Sequence, residues 1–364
     1  MKNFTLFACL TLALLSCKKE QQKQFIVGKI EGTKGIKTFL LSGTGVNTLV
    51  DTLRVSGGSF RVEEAPQEAK MYTLLFEDSN NSATFYADAD SRLQIHGTVA
   101  EAEFMRIEGD SVNLSLTTYR QTLRNEISKL KNINRQAQNA WAKDSLARYD
   151  ALLNSTATRE ATQSWLNKLR AFVKQHNTSP AAAIALYDFV SLTGNEEVLP
   201  ALLSELKGEI NSDFPVTQLL KRTAKVYQKS LVGKSFPSFQ TYNKEGKPEF
   251  FFTTTGKQML LLFWNTEDKY SAYLNKKYEA EVARKNKDSI SFVAICLDDD
   301  INTWKQYLRS KNPGGRQLYL RGGVFNENLQ QVSINHTPVT ALIAPNGNAV
   351  AIGRKGENIL PKGN

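Results

Sequence analysis

The stretch GKQMLLLFWNT, residues 256–266, contains an almost wholly apolar run from Leu260 to Trp264. Such a run is too short for a globular helix, and it lacks the alternation of a half-exposed strand. It fits a strand buried on both faces. A helix is expected from about Asp268 to Lys285. SFVAICLDDD, residues 291–300, falls within a second strand of the same kind, Ser289 to Leu297, followed by a helix from Thr303 to Ser310. A third strand, Val339 to Ile343, precedes the turn Pro345-Asn346-Gly347 and a last strand from Ala349 to Gly353. Alternating strands and helices predict a central sheet flanked by helices, an α/β domain over residues 231–364.

Upstream the pattern changes twice. Residues 25–110 carry short β-branched or alternating runs, among them FIVGKI, TFLLSG, MYTLLFE, ATFYAD and RLQIHG, separated by Gly, Asn, Asp and Ser. Gly57-Gly58 falls between two expected hairpin strands. This region reads as a small antiparallel β domain. From Gly109 onward the period lengthens: Leu116, Tyr119, Leu123, Ile127, Leu130, Ile133 and Ala137 recur every three or four residues, as one face of a long helix requires. A second such tract carries Trp165, Leu169, Phe172, Val173 and His176, and Ser179-Pro180 has the form of a cap followed by first-turn proline. Residues 111–230 are therefore expected to be an all-helical middle region, giving a multi-domain chain.

The first residues, MKNFTLFACLTLALLSCKKE, join a short basic start to an apolar run from Phe4 to Leu15 that is too short to span a membrane. This is the form of an export signal, residues 1–16. The letters Leu14-Leu15-Ser16-Cys17 resemble a lipobox, which implies acylation of Cys17. The polar residues 17–24 then form a lipidated tether, and the membrane becomes a partner through that anchor.

Forty-six basic against 36 acidic side chains leave a net charge of +10 with both signs mixed along the chain. No basic run is interleaved with aromatics, so a nucleic-acid partner is not expected. Of the three cysteines, Cys9 leaves with the signal and Cys17 carries lipid. Only Cys296 stays in the folded body, within an apolar strand where a free thiol behaves as a small hydrophobe.

The segments LVGKSFPSF, GKQMLLLFWNT, SFVAICLDDD and HTPVTALIAPNG together resemble the thioredoxin-like domain of bacterial envelope thiol-disulfide proteins. The branch is that related to cytochrome maturation and to the peroxiredoxin superfamily. The upstream regions resemble the small β domain and helical linker that precede this domain in lipoproteins of the Bacteroidetes. The resemblance implies a Cys-x-x-Cys pair just after Phe263-Trp264, and those positions hold Asp268 and Ser271 instead. Thiol exchange needs one thiolate to attack and a second thiol to resolve the mixed disulfide. Carboxylate and hydroxyl do neither. The resemblance also implies a cis bond at Thr337-Pro338, beside a groove for extended peptides walled by Trp264, His336, Thr337 and Pro338.

Asp268, Ser271 and His336 supply the residue types of a hydrolytic triad, without a G-x-S-x-G elbow or identifiable oxyanion donors. His96, His176 and His336 lie in three different regions and show no ligand spacing, and Asp298-Asp299-Asp300 lacks the spaced oxygens of a calcium loop. No metal or other cofactor is expected.

Three readings of function stand. The chain is a redox-inactive binding lipoprotein for an extended peptide or envelope protein. It is an oxidoreductase or peroxiredoxin-like protein using non-standard residues. Or it is an accessory subunit whose β or helical region makes the main contact. The expected location is the outer membrane, facing the periplasm. The polar C-terminus from Gly353 onward offers little for a final helix, which leaves one sheet face open to the helical region or to another chain.

Overall fold

The computed structural model describes residues 24–360 apart from 45–47, 78, 80, 209–211, 226, 228–230, 252–255, 287 and 333. Cys9, Cys17 and the export signal lie outside the described residues.

The first region is built from β1 (Ile26–Glu31), β2 (Thr38–Ser42), β3 (Leu49–Leu53), β4 (Ser59–Val62), β5 (Lys70–Phe76), β6 (Ser82–Ala87), β7 (Leu93–Thr98) and β8 (Arg106–Glu108). They form two four-stranded sheets, ordered β4-β1-β7-β8 and β3-β2-β5-β6. Strict alternation along β1 sends Ile26 and Ile30 into the core with Leu74, Phe85 and Ile95. Gly58 turns the hairpin before β4 with φ +82, where a Cβ would come 2.7 Å from the Ile30 carbonyl. The sheet differs from the antiparallel expectation at one pair, because β1 and β7 run parallel from Ile26 opposite Leu93 to Glu31 opposite Thr98. These strands are far apart in the chain, so no tight hairpin dictates their direction.

Seven α-helices follow among the described residues: α1 (Ser111–Thr122), α2 (Arg124–Ala142), α3 (Leu146–Leu153), α4 (Thr156–Gln175), α5 (Pro180–Thr193), α6 (Leu199–Leu203) and α7 (Pro215–Lys225). The Asp110 side chain caps α1 by accepting from Asn113 N at 2.7 Å, and Ser179 caps α5 with Pro180 in the first turn. The long helix expected across Leu116 to Ala137 is divided at Leu123, whose φ −101 and ψ 4 interrupt it. Both halves still bury the same apolar face, including Leu116, Leu123, Leu130 and Ala137.

The third region contains β9 (Gln240–Tyr242), β10 (Pro248–Phe250), β11 (Gln258–Trp264), β12 (Ile290–Cys296), β13 (Arg316–Tyr319), β14 (Val339–Ile343) and β15 (Ala349–Arg354), ordered β10-β9-β13-β12-β11-β14-β15. β11, β12 and β13 are parallel, while β14 is antiparallel to β11 and β15 to β14. α8 (Lys269–Glu281) follows β11, α9 (Ile301–Lys311) follows β12, and α10 (Glu327–Gln331) precedes β14. The side chains of β11 divide between two cores. Met259, Leu261 and Phe263 join Phe236, Phe239 and Leu329, whereas Leu260, Leu262 and Trp264 join Tyr270, Leu274, Tyr278 and Trp304. Each such fully buried Leu or Phe contributes about 1.5–3 kcal/mol, which makes this central strand a principal source of the domain's stability. Short, partly polar β9, β10 and β13 were not anticipated from the sequence. The second core is closed by Trp141 and Tyr149 of the helical region and by Ile359 and Leu360 of the tail. The face left open by the polar C-terminus is thus met by the helical region.

Candidate functional site

Strand β11 ends in a loop that side chains organise closely. Asn265 Oδ1 accepts from Glu267 N at 2.8 Å, and Asp268 caps α8 by accepting from Tyr270 N at 3.0 Å. Thr266 donates through its backbone N and its hydroxyl to Asp298, at 2.8 and 2.6 Å. The loop after β11 is therefore tied to the loop after β12. The register places Val339 opposite Phe263, so Pro338 follows on beside the end of β11, and the Thr337-Pro338 bond is cis. Lys355 N donates to the Pro338 carbonyl at 3.1 Å.

At the two positions in question, Ser271 Oγ donates to Asp268 Oδ2 at 2.6 Å. Ser271 is 0% exposed and Asp268 is half-buried. The carboxylate caps the helix with one oxygen and holds the serine with the other. Ser271 therefore presents no hydroxyl to solvent, while Asp268 keeps part of its surface there. Cys296, the only cysteine among the described residues, is 0% exposed beside Trp264. Burial pushes its thiol well above its ordinary value, and the Asp298 carboxylate pushes it further. A reactive thiolate needs the opposite surroundings.

The proposed groove changes on two counts. Trp264 is 0% exposed and packs edge-on against Tyr307 at 5.1 Å, so it lines the core and no groove wall. Thr337 and His336 are half-buried at the surface, and Pro338 is buried. His336 does not join Asp268 and Ser271 in a triad: its Nδ1 bonds Asn335 Oδ1 at 3.0 Å, and its buried Nε2 has no partner among the described residues. Burial and the neighbouring charges of Arg354 and Lys355 hold its pKa below the ordinary value. Within the acidic triplet, Asp298 holds Thr266, Asp300 caps α9 by accepting from Asn302 N, and the Asp299 carbonyl accepts from Tyr319 Oη. No group of three or more His, Cys, Asp or Glu side chains suited to a metal ion occurs among the described residues. Neither does a helix long and apolar enough to cross a membrane.

The first turns of α8 carry a contact that sequence reasoning missed. Asp150 of α3 accepts from Tyr270 Oη at 2.8 Å and from Lys277 Nζ at 2.7 Å. Lys269 Nζ lies 4.4 Å from the Trp141 ring centroid and donates to the Trp141 carbonyl and to Asp144. Tyr149 stands edge-on to Tyr270 at 5.0 Å. Asn154 donates to the Gly356 carbonyl and accepts from Asn358 N, each at 3.0 Å. Thus Lys269 and Tyr270, the two residues between Asp268 and Ser271, are both engaged by the α2–α3 hairpin. Asp150 also accepts from Asn154 Nδ2 one turn on, at 3.1 Å, but Tyr270 and Lys277 lie more than a hundred residues away, so no local spacing marks the contact.

Strand order and site define a mixed-sheet α/β domain with a capped helix start beside a cis proline. Among solved structures, the C-terminal domain of a putative thiol-disulfide oxidoreductase from Bacteroides thetaiotaomicron is 26% identical, covering 34% of this chain and 86% of that one at a TM-score of 0.31. A thiol-disulfide oxidoreductase from Bacteroides fragilis is 24% identical over 33% of this chain and 89% of its own, at 0.30. The thioredoxin domain of a thiol-disulfide oxidoreductase from Bacteroides vulgatus is 17% identical over 34% and 89%, at 0.31. These neighbours span about a third of the chain. No family model and no curated protein matches it.

Proposed function

We propose that residues 231–360 are a thioredoxin-like domain without thiol chemistry, serving as a binding or accessory module of a lipid-anchored envelope protein. The observation that carries this reading is the Ser271 to Asp268 hydrogen bond at 2.6 Å, in the two positions where the resemblance implies a cysteine pair. The helix start that would hold the chemistry instead holds the chain's own helical region through Lys269 and Tyr270. The half-buried pair His336 and Thr337, beside cis Pro338, is the contact for an extended peptide or an envelope protein. Cys17 attaches the chain to the outer membrane on its periplasmic side.

Insulin reduction driven by dithiothreitol tests the chemistry. The native chain should stay at background, and the double variant Asp268→Cys/Ser271→Cys should gain activity; no gain would remove the inherited frame. Activity in the native chain that disappears in Cys296→Ser would establish the alternative, a thiol-disulfide oxidoreductase or peroxiredoxin-like protein using non-standard residues. A photo-crosslinking residue at Thr337 should give adducts in intact envelopes that the same residue at Lys311 does not. Equal labelling, or none, would sink this contact. Cys17→Ala should release the chain from the membrane fraction.

A further inference from the structure

Away from this site, a cavity of about 260 Å³ lies between β5 and β6 of the first region and the helices α1, α2, α4 and α5. Junctions between structural units are common places for small-molecule sites. Two ion pairs line it: Arg120 with Asp188 at 2.6 Å, and Lys131 with Glu103 at 2.8 Å. Arg120 also donates to the Thr84 carbonyl at 2.7 Å, and the Thr84 hydroxyl donates to Asp188 at 2.7 Å. Burying the Arg120–Asp188 pair, whose side chains are 6% and 19% exposed, is costly, and apolar side chains would hold such a junction at least as well. These side chains give the cavity a polar wall.

The lining charges cancel, two cations against two anions. A charged ligand would meet no net attraction and would lose its hydration on entry. What the walls still offer is hydroxyl chemistry. Thr73, Ser82 and Tyr187, all half-buried, line the cavity together with the exposed Ser191. Each hydroxyl donates and accepts, which suits a ligand whose own groups do both. Trp165 and Tyr187 add aromatic surface. The volume falls below the ~300–1,000 Å³ of drug-sized sites, enough for one ring and short of an oligomer.

We propose that this cavity binds a neutral polyhydroxylated ligand of monosaccharide size, held by the hydroxyls of Tyr187, Ser191, Ser82 and Thr73. The site lies outside the C-terminal domain and does not rest on the reading of that domain's function. Titration calorimetry on the full chain tests it, with glucose, galactose, mannose and N-acetylglucosamine as probes and glycine and inorganic phosphate as charged controls. At least one sugar should bind saturably with a Kd of about 1 mM. The variant Tyr187→Phe/Ser191→Ala, which keeps the ring and the helix, should weaken that sugar at least about tenfold while its circular dichroism and thermal midpoint stay native. No saturable sugar binding, equal binding by the variant, or tighter binding of glycine or phosphate would each overturn the proposal. Should the double variant fail to fold, Tyr187→Phe alone gives the same reading, and an unchanged Kd there overturns it.

Discussion

Among the described residues, the helical region meets the C-terminal domain at two junctions of opposite character. At the first, Asp150 is 8% exposed in its side chain and Lys277 15%, and Tyr270 and Asn154 complete the carboxylate's shell. At the second, Glu196 of the segment after α5 faces Lys355 at 3.6 Å and accepts from Tyr227, Arg354 lies over the Tyr227 ring at 4.8 Å, and His336 stands beside both cations. The first junction is desolvated and has its charges matched. The second is wetter, carries an excess of positive neighbours around a histidine, and so depends on pH. One junction holds the domains together while the other adjusts how firmly they are held.

The largest effect should follow from breaking the first. Asp150→Ala leaves the Lys277 ammonium and Tyr270 hydroxyl facing each other without their shared acceptor, and removal of one partner of a buried ion pair costs about 3–5 kcal/mol. Urea unfolding of the full chain, followed by tryptophan fluorescence, should show a loss in this range. Asp150→Asn, which keeps an acceptor for Tyr270, should lose less. A change below about 1 kcal/mol for Asp150→Ala would place the pair among weak surface bridges and dissolve the contrast between the junctions.

How much of this contrast was legible in the sequence differs by element. β11 was readable because six consecutive buried side chains, Met259 to Trp264, form an apolar run that few other structures accommodate. α5 was readable from Ser179-Pro180, whose cap chemistry is local. The parallel pairing of β1 with β7 was not, since direction between distant strands is settled by packing and carries no local signature. At the candidate site, Asp268 and Ser271 were located through the strand before them. Their mutual hydrogen bond required the helix geometry, and the burial of Trp264 required both faces of the sheet. Asp150, Tyr270 and Lys277 went unread because charge pairing across two regions leaves no spacing to find.

A second test of the first junction is steric. Gly356 has φ +83, and a Cβ there would come 2.2 Å from Tyr270 Oη. Gly356→Ala therefore strains the backbone and pushes on the hydroxyl that Asp150 holds, with an expected cost of about 1–3 kcal/mol in the same unfolding experiment. Combined with Asp150→Ala the costs should fall short of additivity, because both act on Tyr270. Full additivity would show that the tail and α3 support the domain separately.

The second junction should respond to acid. His336 is held below its ordinary value of 6.5 first by burial and then by Arg354 and Lys355, with Glu196 opposing them. As pH falls the unfolded chain takes up the proton before the folded one. Stability is therefore full above about 6.5, declines below it, and stops declining from this source once folded His336 is itself protonated. His336→Gln should flatten that portion of the curve. His176, lowered by burial, adds a decline of the same sign, so His176→Gln is the companion control. An unchanged acid profile in His336→Gln would remove the pH dependence assigned to this junction.

The smallest effect separates charge from contact there. Lys355 is 52% exposed in its side chain, so solvent screens its pairing with Glu196, and Lys355→Gln should cost no more than about 0.2–1 kcal/mol at neutral pH. The same substitution removes one of the two cations that disfavour protonated His336. Its folded pKa should move back toward the ordinary value, and the stability lost on acidification should shrink. A proton resonance titration of His336 in both proteins reads the shift directly. If Lys355→Gln leaves that titration in place, burial and Arg354 set the histidine, and Lys355 contributes contact without electrostatic control.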